Sequence, residues 1–374
     1  MVKKETILVT GASGFIGKNL IFRLAEQSKY DVIKFCRADK LEGLEKKIKK
    51  SDIIVHLASE IRPKNKVSFE QNLGLTKKIC ETITRIKKEV QIIFMSSIRS
   101  SPNASPQTYD FSKFEVEDFL VQFSKNTGNP VTIFKPPGVF GKWSRPNFNS
   151  VVATFCFNIA NNLPIEIHDE KKSIKLLYVD DLISQIIEAI EKPTKEIWHP
   201  KFEPIYEISL KNLAESISSF EEGRKNLFVE NVGVDFFRKL YATYLSYLPK
   251  EKFSYEIPQY KDNRGIFSEI IKTQSAGQFS FFTCNPGVTR GQHYHNTKNE
   301  KFLVISGEAR FRFRHIITGE IYEIETNRSV PRVVDTVPGW AHNITNIGSE
   351  DLIVIIWANE VFDRNNPDTI ACEV

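Results

Sequence analysis

Three histidines and one glutamate near the carboxyl end of the chain have the residue types and the spacing of metal ligands. His293 and His295 are two residues apart, Glu300 follows five residues later, and His342 lies further on in VPGWAHNIT. Side chains two residues apart on a β-strand project from the same face. Three imidazoles and a carboxylate suit Zn²⁺ or another divalent transition metal, and the spacing leaves Zn, Fe, Mn, Co and Ni open.

Two further residues of this segment bear on its chemistry. Lys301, beside Glu300, is a candidate base for removing a proton from a substrate. His315 lies in the run ARFRFRHI, where apolar and basic residues alternate. That alternation is typical of a strand with one face in water. We therefore interpret His315 as a residue of the surface or of the lumen.

Glycines spaced three apart indicate a second site near the amino end. Gly11, Gly14 and Gly17 follow the apolar run TILVT and open a segment with helical spacing of apolar residues. Glycines allow a tight turn whose backbone N–H groups meet a pyrophosphate at a helix N-terminus. The spacing is G-x-x-G-x-x-G. With a strand before it and a helix after it, the segment predicts a dinucleotide site.

The end of the second β-rich run bears on the choice of dinucleotide. Enzymes that use NAD usually carry Asp or Glu there to bind the ribose hydroxyls. This chain has Cys36-Arg37-Ala38, with Asp39 two positions after the arginine. A guanidinium group pairs with a 2′-phosphate, which favours NADP(H). The alternative is that Arg37 is a solvated surface residue.

A tyrosine and a lysine four residues apart head a predicted helix. In Tyr109-Asp-Phe-Ser-Lys113 the spacing places both side chains on one helix face. The ammonium group is then expected to lower the pKa of the phenol and to reach the nicotinamide ribose. Ser96 and Ser97 end the preceding β-rich run, where a hydroxyl could hold a substrate carbonyl beside the phenol.

The elements that must position these residues change character along the chain. From residue 5 to about 190, short β-rich runs alternate with segments of helical period, which predicts a doubly wound parallel sheet. From about 250 onwards, short β-rich runs follow one another, which indicates an all-β sandwich or barrel. A helix-like segment at 234–248 ends at Pro249. We predict an α/β domain over 1–248 and an all-β domain over 249–374.

The composition is that of a soluble globular protein. The chain has 374 residues and a net charge of +5, and its basic residues are interspersed with acids. It therefore lacks the long basic tract of a dedicated nucleic-acid binder. The five cysteines are odd in number and scattered, and no apolar run reaches 18 residues. Reduced thiols, a cytoplasmic location without a leader and no membrane insertion are expected.

The first two thirds of the chain resemble the extended short-chain dehydrogenase/reductase family. The matching segments are TGASGFIG, VHLAS (55–59), FMSS (94–97), YDFSK (109–113), GVFG (138–141) and LLYVDDL (176–182). The resemblance implies a Rossmann-type fold in which Tyr109 is the acid or base and Lys113 its electrostatic partner. Ser97 would polarise the substrate carbonyl. Family members commonly have arginine where this chain has Lys135.

The same resemblance implies which residues bind NADP(H). They lie in the glycine turn, after the second and third strands, and at the head of the helix that carries the tyrosine. They are Gly11, Ser13, Gly14, Phe15, Ile16, Gly17, Arg37, Leu57, Ala58, Tyr109 and Lys113.

The last third resembles the cupin family, a small jelly-roll barrel with its ligands inside. The spacing G-x5-H-x-H-x4-E-x6-G matches the first cupin motif in full, and the segment around His342 resembles the second motif with a shifted proline. The resemblance implies that His293, His295, Glu300 and His342 bind a divalent metal within the barrel.

The chain as a whole resembles a family of capsular polysaccharide enzymes that join a reductase to a cupin in this order. The matching segments are KWSRPNFNSVVATFCFNIA (142–160), YLSYLP (244–249), TKNEKFLVISG (297–307), FRFRH (311–315) and NPDT (366–369). The resemblance covers essentially the whole chain and implies a homodimer that acts on a UDP-linked 4-keto-6-deoxy amino sugar. The cupin would epimerise C3 of UDP-4-keto-2-acetamido-2,6-dideoxyhexose. The reductase would then reduce C4 with NADPH to UDP-2-acetamido-2,6-dideoxy-L-talose, towards UDP-N-acetyl-L-fucosamine.

Two other functions stay open. One is an NAD(P)-dependent sugar-nucleotide epimerase with a non-catalytic cupin. Dehydratases usually carry an Asp-Glu pair after the serine, and Ser97-Ile-Arg-Ser-Ser disfavours elimination. The other is a non-enzymatic NADP(H) sensor, and the presence of Tyr109 with Lys113 argues against it.

Overall fold

The structure is a computed structural model that describes residues 4–60, 67–106, 108–194, 197–229 and 231–374. Strands and helices alternate through its first two thirds, as predicted. In chain order these are β1 (Glu5–Thr10), α1 (Phe15–Glu26), β2 (Tyr30–Phe35), α2 (Leu44–Lys50), β3 (Ile53–His56), α3 (Val67–Ile86), β4 (Gln91–Met95), α4 (Tyr109–Thr127), β5 (Val131–Phe134), β6 (Gly138–Phe140), α5 (Val151–Ala160), β7 (Ser173–Tyr178), α6 (Val179–Glu191), β8 (Tyr206–Ser209), α7 (Leu210–Asn226) and α8 (Asp235–Leu245).

The first five strands form a parallel sheet within the described part of the chain. Its order is β2-β1-β3-β4-β5. Alternate residues of β1 point to opposite faces, so that Ile7 and Val9 pack with α1 and α6, and Leu8 packs with α2, α3 and α4. Helices on both faces bury the strands on both sides. The predicted doubly wound architecture is confirmed.

The carboxyl ends of these parallel strands position the candidate residues. Gly11 follows β1, Arg37 follows β2, Leu57 follows β3 and Ser97 follows β4. Tyr109 is the first residue of α4, the helix that follows β4. In open α/β sheets, ligands bind outside this edge of the sheet. A separate small sheet of β6, β7 and β8 accompanies the main one.

From residue 260 onwards the described chain is antiparallel β-structure. Its strands are β9 (Tyr260–Asp262), β10 (Gly265–Thr273), β11 (Gly277–Cys284), β12 (Thr289–Tyr294), β13 (Glu300–Ser306), β14 (Glu308–His315), β15 (Ile321–Asn327), β16 (Val333–Asp335), β17 (Trp340–Asn346), β18 (Leu352–Ala358) and β19 (Ile370–Ala371). They form two sheets of order β16-β13-β18-β11-β10-β9 and β15-β14-β17-β12-β19. Both sheets contribute to one apolar core that includes Phe302, Phe311 and Val354. This confirms the predicted all-β jelly roll.

The chain divides into two compact units. The first comprises Met1–Glu215 and Lys239–Leu248, and the second comprises Ser216–Arg238 and Pro249–Val374. The expected domain boundary after residue 248 coincides with the point where the chain enters the second unit for the last time. Residues 216–238 were expected in the first domain but belong to the second unit. Backbone hydrogen bonds at 2.8 Å join Lys272 of β10 to Leu227 and Val229, which ties this stretch to the second unit.

All five cysteines are free thiols. Cys80, Cys156 and Cys284 are buried, whereas Cys36 and Cys372 are half-buried. Burial raises the pKa of the Cys80 thiol to about 12. None of the described helices is long and apolar enough to cross a membrane.

Candidate active site and candidate metal centre

The three glycines form the turn between β1 and α1. Gly11 has a left-handed backbone (φ 68°), and a Cβ there would lie 2.7 Å from the backbone nitrogen of Ala58. The N–H of Gly14, the N-cap residue of α1, donates to the Gly11 carbonyl oxygen at 2.9 Å. A Cβ on Gly17 would collide with that same oxygen. Substitution of Gly11 or Gly17 by any residue with a Cβ would therefore force the backbone of the turn to shift.

The turn offers the donors that a phosphate group needs. Ser13 and Gly14 are exposed at its tip, and Phe15 and Ile16 are half-buried in the first turn of α1. The N-cap residue of α1 is Gly14, which has no side chain that could accept a hydrogen bond from the first turn of the helix. Because free N–H groups and the positive end of the helix dipole favour an anion, the turn fits a dinucleotide phosphate.

Buried hydrogen bonds of His56 join the end of β3 to β1 and to α3. The sequence patterns did not indicate them. His56 Nδ1 lies 2.7 Å from Thr10 Oγ1, and His56 Nε2 lies 2.9 Å from Thr76 Oγ1. Burial lowers the pKa of His56 to about 3, so the ring is neutral at pH 7. The N–H groups of Leu57 and Ala58 donate to the Thr10 carbonyl and hydroxyl oxygens at 3.2 Å. Both residues are thereby fixed beside the glycine turn.

Arg37 and Asp39 differ in how far they are engaged by the protein. The Arg37 side chain is 82% exposed and pairs with Glu60. Asp39 accepts hydrogen bonds from the Cys36 N–H at 2.8 Å and from the Lys47 ammonium at 3.0 Å. These two bonds lower the pKa of Asp39 below its ordinary value. The Arg37 guanidinium is therefore the more exposed of these two charged groups at the end of β2.

Tyr109 and Lys113 lie on one face of α4, as their spacing predicts. Lys113 is buried, and its Nζ lies 5.6 Å from the centre of the Tyr109 ring and 4.7 Å from that of Phe94. The ammonium donates to the Met95 carbonyl oxygen at 2.6 Å. Burial lowers the pKa of Lys113 to about 7, although the charge of Glu117 opposes this shift.

The expected lowering of the phenol pKa is wrong. Burial raises the pKa of Tyr109 to about 12, Asp110 raises it further, and Arg99 opposes the shift. Lys113 does not bring the phenol pKa down again, because burial lowers the pKa of the lysine itself to about 7 and leaves it only partly charged at pH 7. The Tyr109 phenol is consequently protonated at pH 7, which is the form that can donate a proton.

Ser97 lies in a loop that is tied to the start of α4. Its hydroxyl accepts a hydrogen bond from the Arg99 N–H at 3.1 Å, and the Arg99 guanidinium donates to Asp110 at 3.0 Å. Asp110 directly follows Tyr109 in the first turn of α4. The Arg99–Asp110 pair thus joins the loop of Ser97 to the first turn of α4, where Tyr109 lies.

Lys135, where the family commonly has arginine, has a partner inside the first unit. Its Nζ lies 2.6 Å from Glu117 Oε2, a buried carboxylate that also accepts a hydrogen bond from Ser96. The lysine therefore neutralises a buried acid of α4. Glu117 was not singled out from the sequence, although it lies four residues after Lys113 and hence on the same helix face.

The four expected metal ligands come together in the second unit. His293 on β12 and His342 on β17 are cross-strand partners, His295 follows β12, and Glu300 opens β13. One ligand atom from each residue lies within 4.8 Å of all the others. The three imidazole centroids are 4.6 to 5.3 Å apart. Burial lowers the pKa of His293 to about 4, and the neighbouring imidazoles add to this shift.

Glu300 supplies the negative charge of the cluster. Its Oε2 lies 3.3 Å from His295 Nε2 and 3.7 Å from His342 Nε2, and its Oε1 lies 3.2 Å from Lys298 Nζ. Burial raises the pKa of Glu300, but these neighbours outweigh burial and hold it well below its ordinary value. His342 Nε2 is buried, and no described group makes a hydrogen bond to it. An orphaned imidazole nitrogen beside a carboxylate fits a metal ion.

Asp368, which was not assigned to the site from the sequence, orients His295. Its backbone carbonyl accepts a hydrogen bond from His295 Nδ1, and its carboxylate accepts bonds of 2.6 to 2.9 Å from the three backbone N–H groups after His295. The Nδ1 atom is engaged there, so the Nε2 atom is the ring nitrogen that faces Glu300. The Nε2 atom lies 3.3 Å from Glu300 Oε2, and a ring held through Nδ1 with Nε2 turned into the cluster is the arrangement that suits a metal ligand.

The structure argues against Lys301 as a base. Its side chain is half exposed and pairs with Asp335. Lys301 follows Glu300 along β13 and so points to the opposite face of the strand. Lys298 instead lines the cavity of the cluster. His315 lies outside the cluster, where it packs edge-to-face on Trp340 with ring centroids 5.0 Å apart.

Two family descriptions match the chain. The NAD dependent epimerase/dehydratase family matches residues 7–201. The polysaccharide biosynthesis C-terminal domain matches residues 260–370. The two matches fall on the parallel-sheet and the antiparallel parts of the fold, respectively.

Some known proteins match nearly the whole chain, and others match only its first part. UDP-2-acetamido-2,6-beta-L-arabino-hexul-4-ose reductase from Pseudomonas aeruginosa is 46% identical over 369 residues, which is 98% of each chain. The crystal structure of capsular polysaccharide assembling protein CapF from Staphylococcus aureus is 40% identical, with a TM-score of 0.91, and covers 98% of this chain and 100% of that one. UDP-glucose 4-epimerase from Vibrio cholerae is 26% identical and covers only 50% of this chain and 67% of its own.

Proposed function

The chain belongs to the NAD dependent epimerase/dehydratase family, and we propose that it is a nucleotide-sugar enzyme with two active sites. The second unit epimerises C3 of UDP-4-keto-2-acetamido-2,6-dideoxyhexose, and the first unit reduces C4 with NADPH to UDP-2-acetamido-2,6-dideoxy-L-talose. The name of the Pseudomonas aeruginosa relative, a hexul-4-ose reductase, supports the reduction. One observation carries the proposal: the chain combines a tyrosine beside a buried lysine in the first unit with a cluster of three histidines and a glutamate in the second.

The first unit has the groups needed to bind NADPH. The glycine turn would hold the pyrophosphate, since Gly11, Gly14 and Gly17 leave its backbone open to an anion. Arg37 would pair with the 2′-phosphate, which its exposure and the engagement of Asp39 support. When bound, the nicotinamide supplies the hydride for the reduction.

Three side chains would act on the C4 carbonyl. Ser97 hydrogen-bonds its oxygen and polarises it. Tyr109 donates a proton to the same oxygen, because its raised pKa keeps the phenol protonated at pH 7. The Lys113 Nζ lies 5.6 Å from the centre of the Tyr109 ring and, in its charged form, stabilises the phenolate that remains. Acid catalysis of this kind accelerates reactions by roughly 10²- to 10⁴-fold.

The second unit would act before the reduction, while the ketone is still present. A ketone at C4 makes the proton on C3 acidic, so that a base can remove it and return a proton to the other face. His293, His295, Glu300 and His342 would hold a divalent cation, with Asp368 fixing the ring of His295. When bound, this cation supplies positive charge in the cavity where negative charge develops on the substrate.

The substitution Tyr109→Phe tests the division of labour. NADPH oxidation with the 4-keto UDP-sugar should fall by roughly 10²- to 10⁴-fold, because the proton donor is lost. Exchange of the C3 proton with D₂O, followed by NMR without NADPH, should continue at the wild-type rate. Tyr30→Phe is the matched control, since Tyr30 hydrogen-bonds Glu191 at the amino end of β2.

Other outcomes of the same experiment favour other functions. Loss of C3 exchange in a folded Tyr109→Phe protein would contradict the division into two sites. Interconversion of sugars without net consumption of NADPH would favour an epimerase with a non-catalytic second unit. Inertness of the wild type towards 4-keto-6-deoxy nucleotide sugars would favour an NADP(H) sensor. Assembly as a homodimer stays a prediction, which analytical ultracentrifugation can check.

A further inference from the structure

Arg290 lies in the cavity of the ligand cluster with unpaired donors. The cavity, of about 750 Å³, is lined by Arg290 together with His293, Lys298 and Glu300. The Arg290 side chain is only 12% exposed. Its guanidinium packs over the Phe282 ring at 5.2 Å and faces the Cys284 thiol, but no described oxygen or nitrogen atom accepts a hydrogen bond from its buried Nε and Nη2 atoms. Unpaired donors on a buried charge destabilise a fold, so such a group points to a ligand.

A β-bulge brings Arg290 to the same cavity as the ligands. In a regular strand, positions 290 and 293 would face opposite sides, because the side-chain period is two. The pairing of β12 with β17 shifts register between Gly291 and His293. Gly291 and Gln292 both have left-handed backbones, with φ of 97° and 65°. A non-glycine residue is rarely found there, and strained bulges of this kind often re-aim side chains beside active sites.

The acid beside Arg290 is already used by another arginine. Asp262 Oδ1 lies 3.8 Å from Arg290 Nη2, which is beyond hydrogen-bond distance. Asp262 accepts hydrogen bonds from the Arg264 Nε, Nη2 and backbone N–H groups at 2.6 to 3.0 Å. Two guanidinium groups therefore share one carboxylate, and Lys261 lines the same cavity. Glu269, a further acid of the cavity lining, is paired with Lys272. The wall that bears Arg290 and Arg264 therefore carries more positive than negative charge.

We propose that Arg290 and Arg264 bind the diphosphate of the nucleotide sugar in this cavity. The proposal rests on the function given above, which brings a UDP-sugar to the second unit. Guanidinium groups pair in a fork with phosphate oxygens, and the diphosphate supplies the acceptors that Arg290 lacks. The cavity volume suits a ligand of this size. A diphosphate on this wall leaves the sugar to reach the cluster of His293 and Glu300.

Titration calorimetry of the full-length, metal-loaded protein with UDP tests this assignment. The wild type should bind two UDP molecules per chain, one in each unit. Arg290→Met should weaken one of these sites by roughly 10- to 100-fold, the effect of losing hydrogen bonds to a charged group. Arg290→Lys keeps the positive charge without the forked donors of the guanidinium. Its affinity for UDP should lie between those of the wild type and Arg290→Met. Arg312→Met is the control, because Arg312 pairs with Glu323 and is 44% exposed.

Kinetics of C3 exchange in D₂O separate binding from chemistry. Arg290→Met should raise KM for the UDP-sugar by a similar factor and change kcat much less. A fall in kcat at unchanged KM would overturn the assignment, since the arginine would then act on the reacting oxygen of the sugar. The variant is expected to stay folded, because Asp262, the acid beside Arg290, keeps its hydrogen bonds from Arg264.

The two proposals fail in different ways. A wild type that shows no C3 exchange contradicts the proposed function, and the UDP titration still decides on Arg290. Equal affinity of both UDP sites in the wild type and in Arg290→Met, or a single site in the wild type, overturns the diphosphate assignment. A lower melting temperature of Arg290→Met with unchanged UDP binding would assign the arginine a purely structural role.

Discussion

The two candidate sites are assembled in opposite ways. In the first unit, Ser97 and Tyr109 come from separate elements that the chain brings to one edge of the parallel sheet. In the second unit, His293 and His342 are direct partners on neighbouring antiparallel strands, and all four ligands converge within 4.8 Å. The first site is a set of separated groups around an open edge, and the second is a preassembled cluster.

The two sites also differ in how the pKa of their buried ionisable group is shifted. Lys113 is buried against a neutral carbonyl, and its pKa falls to about 7, so its charge changes near neutral pH. Glu300 is buried among imidazoles and Lys298, and its pKa stays well below the ordinary value. The first arrangement suits the movement of protons. The second suits the permanent binding of a cation.

Removal of one ligand is the strongest test of the preassembled cluster. His342→Ala should lower the metal content and slow C3 exchange by roughly 100-fold or more, beyond the effect of losing an outer partner of a ligand. Fluorescence titration with NADPH should give the wild-type affinity, because that site is in the first unit. His315→Ala is the control histidine. An unchanged metal content in His342→Ala would contradict the assigned centre.

The charge of Lys113 predicts a pH dependence of stability. Its folded pKa of about 7 lies below the ordinary lysine value, so between about pH 7 and pH 10 the folded chain binds fewer protons than the unfolded one. Stability from this group therefore rises with pH in that window. In urea unfolding, the wild type should gain about 2 kcal/mol relative to Lys113→Met between about pH 7 and pH 9.

The control for this measurement is Lys18→Met, since Lys18 is exposed on α1. Its free energy of unfolding should follow the wild type across the same pH range. The groups around Lys113 are Glu117, Tyr109 and the neutral ring of His56. A difference between wild type and Lys113→Met that is independent of pH would show that the lysine is fully charged in the folded state.

Arg37→Ala should have a smaller and selective effect. Loss of a charge-assisted hydrogen bond to the 2′-phosphate should raise KM for NADPH roughly 10-fold and leave KM for NADH nearly unchanged. Arg23→Ala is the matched control, because Arg23 pairs with Glu26 on α1. Equal effects on both dinucleotides would make Arg37 a solvated residue.

The smallest effect is expected for Lys301→Gln. The pair of Lys301 with Asp335 is half exposed, and such pairs contribute only about 0 to 1 kcal/mol. The free energy of unfolding and the rate of C3 exchange should therefore stay near their wild-type values. A large loss of exchange would restore Lys301 as the base.

The fold and most of the assembled residues could be predicted because their signals are local. Buried strands such as TILVT are continuous apolar runs, and glycine is required where Gly11 and Gly17 meet other backbone. Two-residue spacing correctly placed His293 with His295. The same rule would have excluded Lys301, since adjacent residues of a strand face opposite sides.

Other features have no such signal. The bulge at Gly291 and Gln292 interrupts the alternation of side chains along β12. A regular two-residue period would therefore place Arg290 on the face opposite to His293. Asp368 orients His295 through a backbone carbonyl, a group that every residue carries. The phenol pKa of Tyr109 depends on burial, which the four-residue spacing to Lys113 does not reveal.

The distribution of thiols gives the chain two chemical handles for spectroscopic probes. Cys80, Cys156 and Cys284 are buried, which leaves Cys36 in the first unit and Cys372 in the second as the more accessible sulfurs. Cys36 is adjacent to Arg37, so a fluorophore there would test the proposed dinucleotide binding. The Cys372 N–H donates to the Gln292 carbonyl at 2.8 Å, so a fluorophore on Cys372 would sense the bulge beside the second site.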